Sequence, residues 1–325
     1  MNLSALYDVP APTKLNLFLH VTGRRPDGYH LLQSVFRFID LYDYLDFEVR
    51  PDGQIVCESP LAGLSTDDDL VVRAARALQS ATGVKLGAQI QYRKAIPSGG
   101  GLGGGSSDAA STLIALNRLW KTGLSRAELM RLALPLGADV PVFVFGQNAF
   151  AQGVGEDLQR VELGNAGYVV VQPAQHVATG PIFSDPDLTR NTKPIIITDF
   201  AEWQKLADNR LRLAQPAGLN VIGTSQENGV RPLYGWNDLQ PIVLARYPIV
   251  KQAYNLLLEL GVMPRMTGSG ACLFVEFVTT EHAQAFQQKI VAKIACYGND
   301  TTKVVSNTWV CSGLQEHPLY HWLNS

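Results

Sequence analysis

The sequence predicts an α+β protein of two domains, and three observations predict it. The chain has 325 residues, which suits two domains of ordinary size. Its apolar residues switch repeatedly between a period of two and a period near 3.6, so strands and helices succeed one another along both halves. At 97–110 six glycines flank Leu102, and this run joins a strand-like alternation to a helix-like one without a break.

With 46% hydrophobic and 17% charged residues, the chain can bury a large core. A net charge of −2 gives no reason to expect nucleic acid or an anionic membrane as partner. The four cysteines, Cys57, Cys272, Cys296 and Cys311, have neither metal-like nor redox-like spacing. Cys272 and Cys311 stand in apolar strand-like runs and read as buried thiols. The apolar run 15–21 is short and interrupted by Asn16 and His20, so no signal peptide is expected. No apolar run approaches membrane-spanning length, and a cytoplasmic protein is expected.

The first strand covers 14–21. Leu15, Leu17, Leu19 and Val21 face one way; Lys14, Asn16, Phe18 and His20 face the other, which sets Lys14 beside Asn16. An ordinary exposed strand face is the plain alternative for that lysine. The segment 23–30 is turn-rich and carries two arginines, Tyr29 and His30. It reads either as a solvated turn or as a recognition loop in which Tyr29 stacks on a planar ring and His30 makes a polar contact. The segments 44–49 and 54–58 look like a strand pair joined through Pro51-Asp52-Gly53. Thr66-Asp67-Asp68-Asp69 opens a helix with Leu70, Ala74, Leu78 and Ala81 on one face, closed by Gly83.

The glycine stretch reads Pro97-Ser98-Gly99-Gly100-Gly101-Leu102-Gly103-Gly104-Gly105-Ser106-Ser107-Asp108. Glycine lacks Cβ and tolerates positive φ, so backbone can press against a ligand. The helix behind it begins with unpaired N–H groups and a positive dipole end, which favour phosphate. Ser106 and Ser107 can cap those amides or turn toward a phosphate oxygen or a metal. A bare turn needs one or two glycines rather than six. No Gly-Lys-Ser/Thr follows, which excludes a Walker A loop. A dinucleotide fingerprint matches at Gly99, Gly101 and Gly104, yet the acid it requires about 20 residues on is replaced by the helix start 123–128. The stretch reads as a nucleotide phosphate cradle.

Ser125 and Glu128 form a capping-box pattern for the next helix, which stops near 135–137. Asp139 follows, a single acid between apolar neighbours. It is either a helix cap or a base paired with a lysine such as Lys14, and beside a phosphate loop the base is favoured. A second, sparser glycine loop at 150–156 reads as a domain junction. Strand 168–172, a loop at 179–186 presenting Phe183, an irregular stretch over 199–235 and a helix over 249–260 come next. Thr267-Gly268-Ser269-Gly270 is a hairpin turn or a third ligand-facing loop. A helix to 294 and a strand over 303–311 complete the pattern.

The three glycine-bearing segments together resemble the GHMP kinase superfamily. Pro12-Thr13-Lys14-Leu15-Asn16-Leu17-Phe18-Leu19 and the loop ending Gly28-Tyr29-His30 are more specific. They are similar to the branch that phosphorylates 4-diphosphocytidyl-2-C-methyl-D-erythritol on the non-mevalonate route to isoprenoid precursors. The segments 99–110, 136–141, 153–156, 237–239 and 266–272 extend the resemblance over nearly the whole chain. It implies an N-terminal domain like the second domain of ribosomal protein S5, at 1–160, holding ATP. A ferredoxin-like domain at 161–325 would close over a cytidine diphosphate substrate. It further implies Asp139 as base with Lys14 beside it, and Asn16, Tyr29, His30, Thr179 and Phe183 at the substrate. Asp69, Lys94 and the residues from Pro97 to Ser107 fall on the ATP site, and Mg²⁺ is the implied co-ion with ligands unassigned. A monomer or homodimer is expected.

One departure and one charge stand out. Asp69 replaces the family's usual asparagine at the adenine contact, and a carboxylate cannot donate to a ring nitrogen. Asp108 adds negative charge beside the cradle and is expected to point away from it. A homoserine- or mevalonate-type kinase and a non-catalytic relative are the rival readings. The Tyr29–His30 loop with Phe183 argues against the first, and the retention of Lys14 with Asp139 against the second.

Overall fold

Two long strands open the chain, β1 (Ala5–Arg24) and β2 (His30–Arg50), joined by a turn in which the Arg25 amide donates to the Tyr29 carbonyl at 2.7 Å. They pair antiparallel, with Lys14 opposite Phe38 and Asn16 opposite Phe36. The computed structural model describes residues 3–58, 65–213, 235–296 and 304–323. In it, β3 (Ile55–Cys57), β4 (Gly87–Arg93), β5 (Ala149–Gln152) and β6 (Asp157–Arg160) complete a six-stranded sheet of order β3-β4-β2-β5-β6, with β1 bonded to β2 off this path. The expected hairpin of 44–49 with 54–58 does not form. β4 lies between them, antiparallel to β2 and parallel to β3. Its seven residues, with Ala88, Ile90 and Tyr92 buried, offer β2 a longer ladder than the three of β3.

Four helices pack on this sheet: α1 (Leu70–Thr82), α2 (Gly104–Leu119), α3 (Arg126–Ala133) and α4 (Val140–Phe145). α1 is capped by Asp69 and closed by Gly83 at φ 65°. Ser125 and Glu128 make the expected capping box on α3. α2 has almost no polar face, since it lies between the sheet and the other helices, and Ser107 through Asn117 are all buried. Its start differs from expectation. Gly103, at φ 75°, is the cap residue and no side chain caps the helix, so Ser106 and Ser107 stand inside the first turn.

The chain leaves the first sheet after Arg160 and enters a second at β7 (Gly167–Pro173). With β8 (Arg265–Met266), β9 (Leu273–Phe277) and β10 (Val305–Ser312), this forms an antiparallel sheet of order β10-β7-β9-β8. α5 (Thr179–Phe183), α6 (Ile197–Leu213), α7 (Gln240–Arg246), α8 (Pro248–Glu259) and α9 (Thr280–Cys296) belong to this half. Val171, Leu257, Phe277 and Phe286 are central to its core. A third apolar cluster joins the halves, packing Leu15, Leu17, Val35 and Ile39 against Tyr168, Val170 and Phe274.

Further local differences have physical causes. A register shift between Asn16 and Leu19 breaks the alternation of β1, so Phe18 joins Leu17 in the inter-sheet core instead of sharing a face with Lys14. The glycine loop at 153–156 is the turn of the β5–β6 hairpin within the first sheet, not a junction. Residues 179–183 are helical where a loop was expected. The first part of the supposedly irregular 199–235 stretch is the helix α6; residues 214–234 and Lys303 lie outside the described residues. Beyond Ser312 the chain returns to the first half. The Leu314 amide donates to the Phe38 carbonyl at 2.8 Å, and Leu319 and Leu323 enter the first core. No helix among the described residues is long and apolar enough to cross a membrane.

Candidate active site

A cleft of about 470 Å³ opens between the two halves, lined by the glycine stretch, the α4 start, the β8–β9 turn and the α5 segment. Lys14 projects into it from β1, only 2% exposed. Its ammonium donates to Asn16 Oδ1 at 2.6 Å and to the Gly101 carbonyl at 3.1 Å, and lies 3.2 Å from Asp139 Oδ2. Three donors thus meet three acceptors, and the Phe36 ring lies 5.3 Å from the same nitrogen. Asp139 precedes α4, and its side chain makes no capping bond. At 37% exposure it keeps access to the cleft while its partner lysine is buried. The helix-cap alternative for Asp139 therefore has no bond behind it.

The glycine stretch wraps this pair. Gly99, Gly101 and Gly103 all have positive φ, and a Cβ on Gly101 would overlap the Thr267 carbonyl. The β8–β9 turn is the hairpin turn that the sequence left open, and it also borders the cleft. It connects an antiparallel pair, and Gly268, Ser269 and Gly270 face the cleft. It binds the glycine stretch through backbone, with Ala271 N donating to Gly99 O at 3.3 Å and Cys272 N to Gly100 O at 3.2 Å. Burial pushes the neighbouring Cys272 thiol up to about 12, so it stays protonated. Asn237 fixes the same turn, its amide donating to the carbonyls of Met266 and Gly268.

Lys94 lines the cleft and is ion-paired to both Asp43 and Asp108. Asp43 also accepts from the Ala95 and Ile96 amides at 2.6 and 2.9 Å, which sets the chain's approach to Pro97. Asp108 does not line the cleft and is buried. Burial pushes its carboxyl up to about 7, the Lys94 charge opposes this, and Asp43 adds to it. Its Oδ1 and the Ser107 hydroxyl have no hydrogen-bond partner among the described residues.

At the other end, Phe183 and Thr179 line the cleft, and the Thr179 hydroxyl is 2.8 Å from that of Ser269. His30 stacks near Phe183, with ring centroids 5.1 Å apart. Arg190 Nε donates to His30 Nε2 at 3.1 Å and also binds the Phe183 carbonyl. Burial, then the Arg190 and Arg24 charges, lower the His30 pKa, so the ring is neutral at pH 7 with its proton on Nδ1.

Of the residues singled out by sequence, Lys14, Asn16, Lys94, Pro97, Ser98, Gly99, Gly100, Gly101, Gly103, Gly104, Gly105, Ser106, Asp139, Thr179 and Phe183 line one cleft. Leu102 and Ser107 are buried beneath it. Tyr29 stands 63% exposed at the tip of the β1–β2 turn. Asp69 does not itself line the cleft, although Leu70 beside it does; one of its oxygens caps α1 and the other accepts from the Tyr92 hydroxyl at 2.7 Å. The sequence reading flagged Thr267 only as part of its turn and missed Ser34, Asp43 and Arg190. A lone acid between Tyr42 and Tyr44 in a strand was a usable signal for Asp43; the others carry no local signature.

Comparison with known proteins agrees with this geometry. Residues 69–147 match the model for the GHMP kinases N terminal domain and 223–295 that for the GHMP kinases C terminal. The chain is 56% identical over 323 residues to the 4-diphosphocytidyl-2-C-methyl-D-erythritol kinase of Bordetella pertussis, covering 98% of this chain and 99% of that one. The enzyme of the same name from Dechloromonas aromatica is 47% identical over 310 residues, covering 95% and 98%. A solved structure of 4-(cytidine 5'-diphospho)-2C-methyl-D-erythritol kinase superposes with a TM-score of 0.70 at 30% identity, covering 94% of this chain and 98% of that one. A homoserine kinase from Cytophaga hutchinsonii, at TM-score 0.64 and 15% identity over 98% of this chain and 96% of that one, shares the fold. The chain belongs to the 4-diphosphocytidyl-2-C-methyl-D-erythritol kinase family of the GHMP kinases.

Proposed function

We propose that the chain transfers the γ-phosphoryl group of ATP to the 2-hydroxyl of 4-diphosphocytidyl-2-C-methyl-D-erythritol, with Asp139 as the base. The observation that carries this reading is the Lys14–Asp139 pair, 3.2 Å apart beside the glycine stretch. As the hydroxyl oxygen bonds to the γ-phosphorus, the bond to the β–γ bridging oxygen breaks and the hydroxyl proton passes to the Asp139 carboxylate. Lys14, locked by Asn16 and Gly101, holds that carboxylate in line. The amides opening α2 and the glycine stretch receive the phosphates, where charge develops.

Phe183 and the neutral His30 receive the cytosine, with His30 Nδ1–H as a donor to its carbonyl edge, and Tyr29 at the turn tip folds over it. Binding energy gained there positions the distant hydroxyl. Ser106, which lines the cleft at the opening of α2, is the side chain that would help hold Mg²⁺. The ion would supply neutralisation of phosphate charge.

ADP release from MgATP, measured with and without 4-diphosphocytidyl-2-C-methyl-D-erythritol, tests the reading. Release should require the substrate. Asp139→Asn should lower kcat by about 10²–10⁴-fold while ATP binding is retained. Release that ignores the substrate, or wild-type turnover by Asp139→Asn, would overturn it.

A further inference from the structure

The geometry points to Thr267 as a positioning residue for Lys14. This inference rests on the role just proposed for Lys14, and it concerns a side chain in the β8–β9 turn that reaches the lysine from the opposite half of the molecule. Thr267 is fully buried. Its hydroxyl oxygen accepts from the Asn16 backbone amide at 3.0 Å. Its single proton faces two acceptors, the Gly101 carbonyl at 3.2 Å and Asn16 Oδ1 at 3.4 Å. Those two oxygens are the same two that the Lys14 ammonium uses.

Thr267 therefore does not touch Lys14; it holds both groups that do. Asn16 Oδ1 is fixed from its other end as well, because Nδ2 donates to the Ser34 hydroxyl at 2.8 Å, which in turn donates to the Phe18 carbonyl at 2.6 Å. Backbone bonds hold the residues on either side of Gly101, Cys272 N donating to Gly100 O at 3.2 Å and Lys14 N to Leu102 O at 3.1 Å, while the Gly101 carbonyl itself accepts from Lys14 and Thr267. The hydroxyl of Thr267 is the uncharged side-chain group that links that carbonyl to the Asn16 amide of β1. Remove it, and the ammonium loses the fixed acceptor that keeps it aimed at Asp139. The contact also bridges the two halves, so the lysine is correctly set only when the β8–β9 turn is docked on the glycine stretch.

The test uses Thr267→Val, which keeps the shape and deletes the hydroxyl, and Thr267→Ser, which keeps the hydroxyl. Thr267→Val should lower kcat on the order of ten- to a hundredfold with KM for ATP little changed, and Thr267→Ser should restore most of it. The same Val substitution made in Lys14→Met should cost almost nothing more, since the group it positions is already gone. An equal loss in both backgrounds, or a Ser variant as slow as Val, would overturn the inference in favour of simple packing. The ¹⁵Nζ resonance of Lys14, assigned by its absence in Lys14→Met, reads the placement of the ammonium without turnover. It should move in Thr267→Val and stay in Thr267→Ser, and an unmoved signal overturns the inference. If the wild-type chain fails to turn over the cytidine diphosphate substrate, the proposed function falls, and this resonance still decides the role of Thr267.

Discussion

His317 shows how much a single buried group can impose. It is 1% exposed, its Nδ1 accepts from the Leu319 amide at 3.0 Å, and its ring meets Phe38 edge-on at 6.0 Å. Burial, aided by the Arg126 charge, pushes its pKa down from 6.5 to about 3. A histidine held neutral in the fold takes up a proton more readily once unfolded. Stability is therefore full above pH 6.5 and is lost as the pH falls toward 3. The loss should be on the order of a few kcal/mol. Unfolding midpoints measured from pH 7.5 to pH 4.5 should fall steeply for the wild type and less steeply for His317→Gln. Lys14 belongs to the same scale. Its position beside Asn16 was legible from the alternation of β1, because a period of two fixes neighbours on one face. The third acceptor, the Gly101 carbonyl, was not legible, since nothing local says which turn of backbone a side chain will meet.

The glycine stretch and the β8–β9 turn work as a pair of elements, and glycine is required for different reasons at different places. Gly83 closes α1 at φ 65° with nothing within 4 Å of an added Cβ, so Gly83→Ala costs backbone strain alone, about 1 kcal/mol, and should leave activity unchanged. Gly101 has φ 74°, and an added Cβ there runs into the Thr267 carbonyl. Gly101→Ala should separate the two elements and raise KM for ATP as well as lowering kcat. Thermal unfolding alongside steady-state kinetics distinguishes the two substitutions.

Elements whose signals are local were readable: α1 from its caps, α3 from Ser125 and Glu128, and the strand–glycine–helix order around 97–110. Elements that depend on distant partners were not. β3 sits beside β4 because of a competition for the edge of β2, and α5 is helical because Ile182 has a core to enter. Asp69 looked like a ligand contact from its position in a motif. Only the fold reveals that it also caps α1 through the Val71 amide and accepts from the Tyr92 hydroxyl.

At the scale of the whole molecule, residues 314–323 brace the first half. Arg126 donates to the Val144 and Phe145 carbonyls at the end of α4 and to the Tyr320 carbonyl at 2.7 Å, with its guanidinium 4.1 Å from the Tyr320 ring. Asp139 stands at the other end of that short helix. Removing residues 314–325 should lower the unfolding temperature and reduce substrate-dependent ADP release, although it deletes nothing that lines the cleft. Tyr320→Ala should do the same more mildly.

Among the described residues the chain crosses between the halves twice, through 161–166 and again at Gly313, and the crossings lie side by side: the Gly313 amide donates to the Ala166 carbonyl at 2.9 Å. Arg37, fully buried, donates to the Gly164 carbonyl at 2.9 Å, and its guanidinium fills the space a Gly313 Cβ would need. Two tethers bound into one seam make a spine, with Arg37 as its pin. A sideways slip of one half over the other would have to break the Gly313–Ala166 and Arg37–Gly164 bonds together.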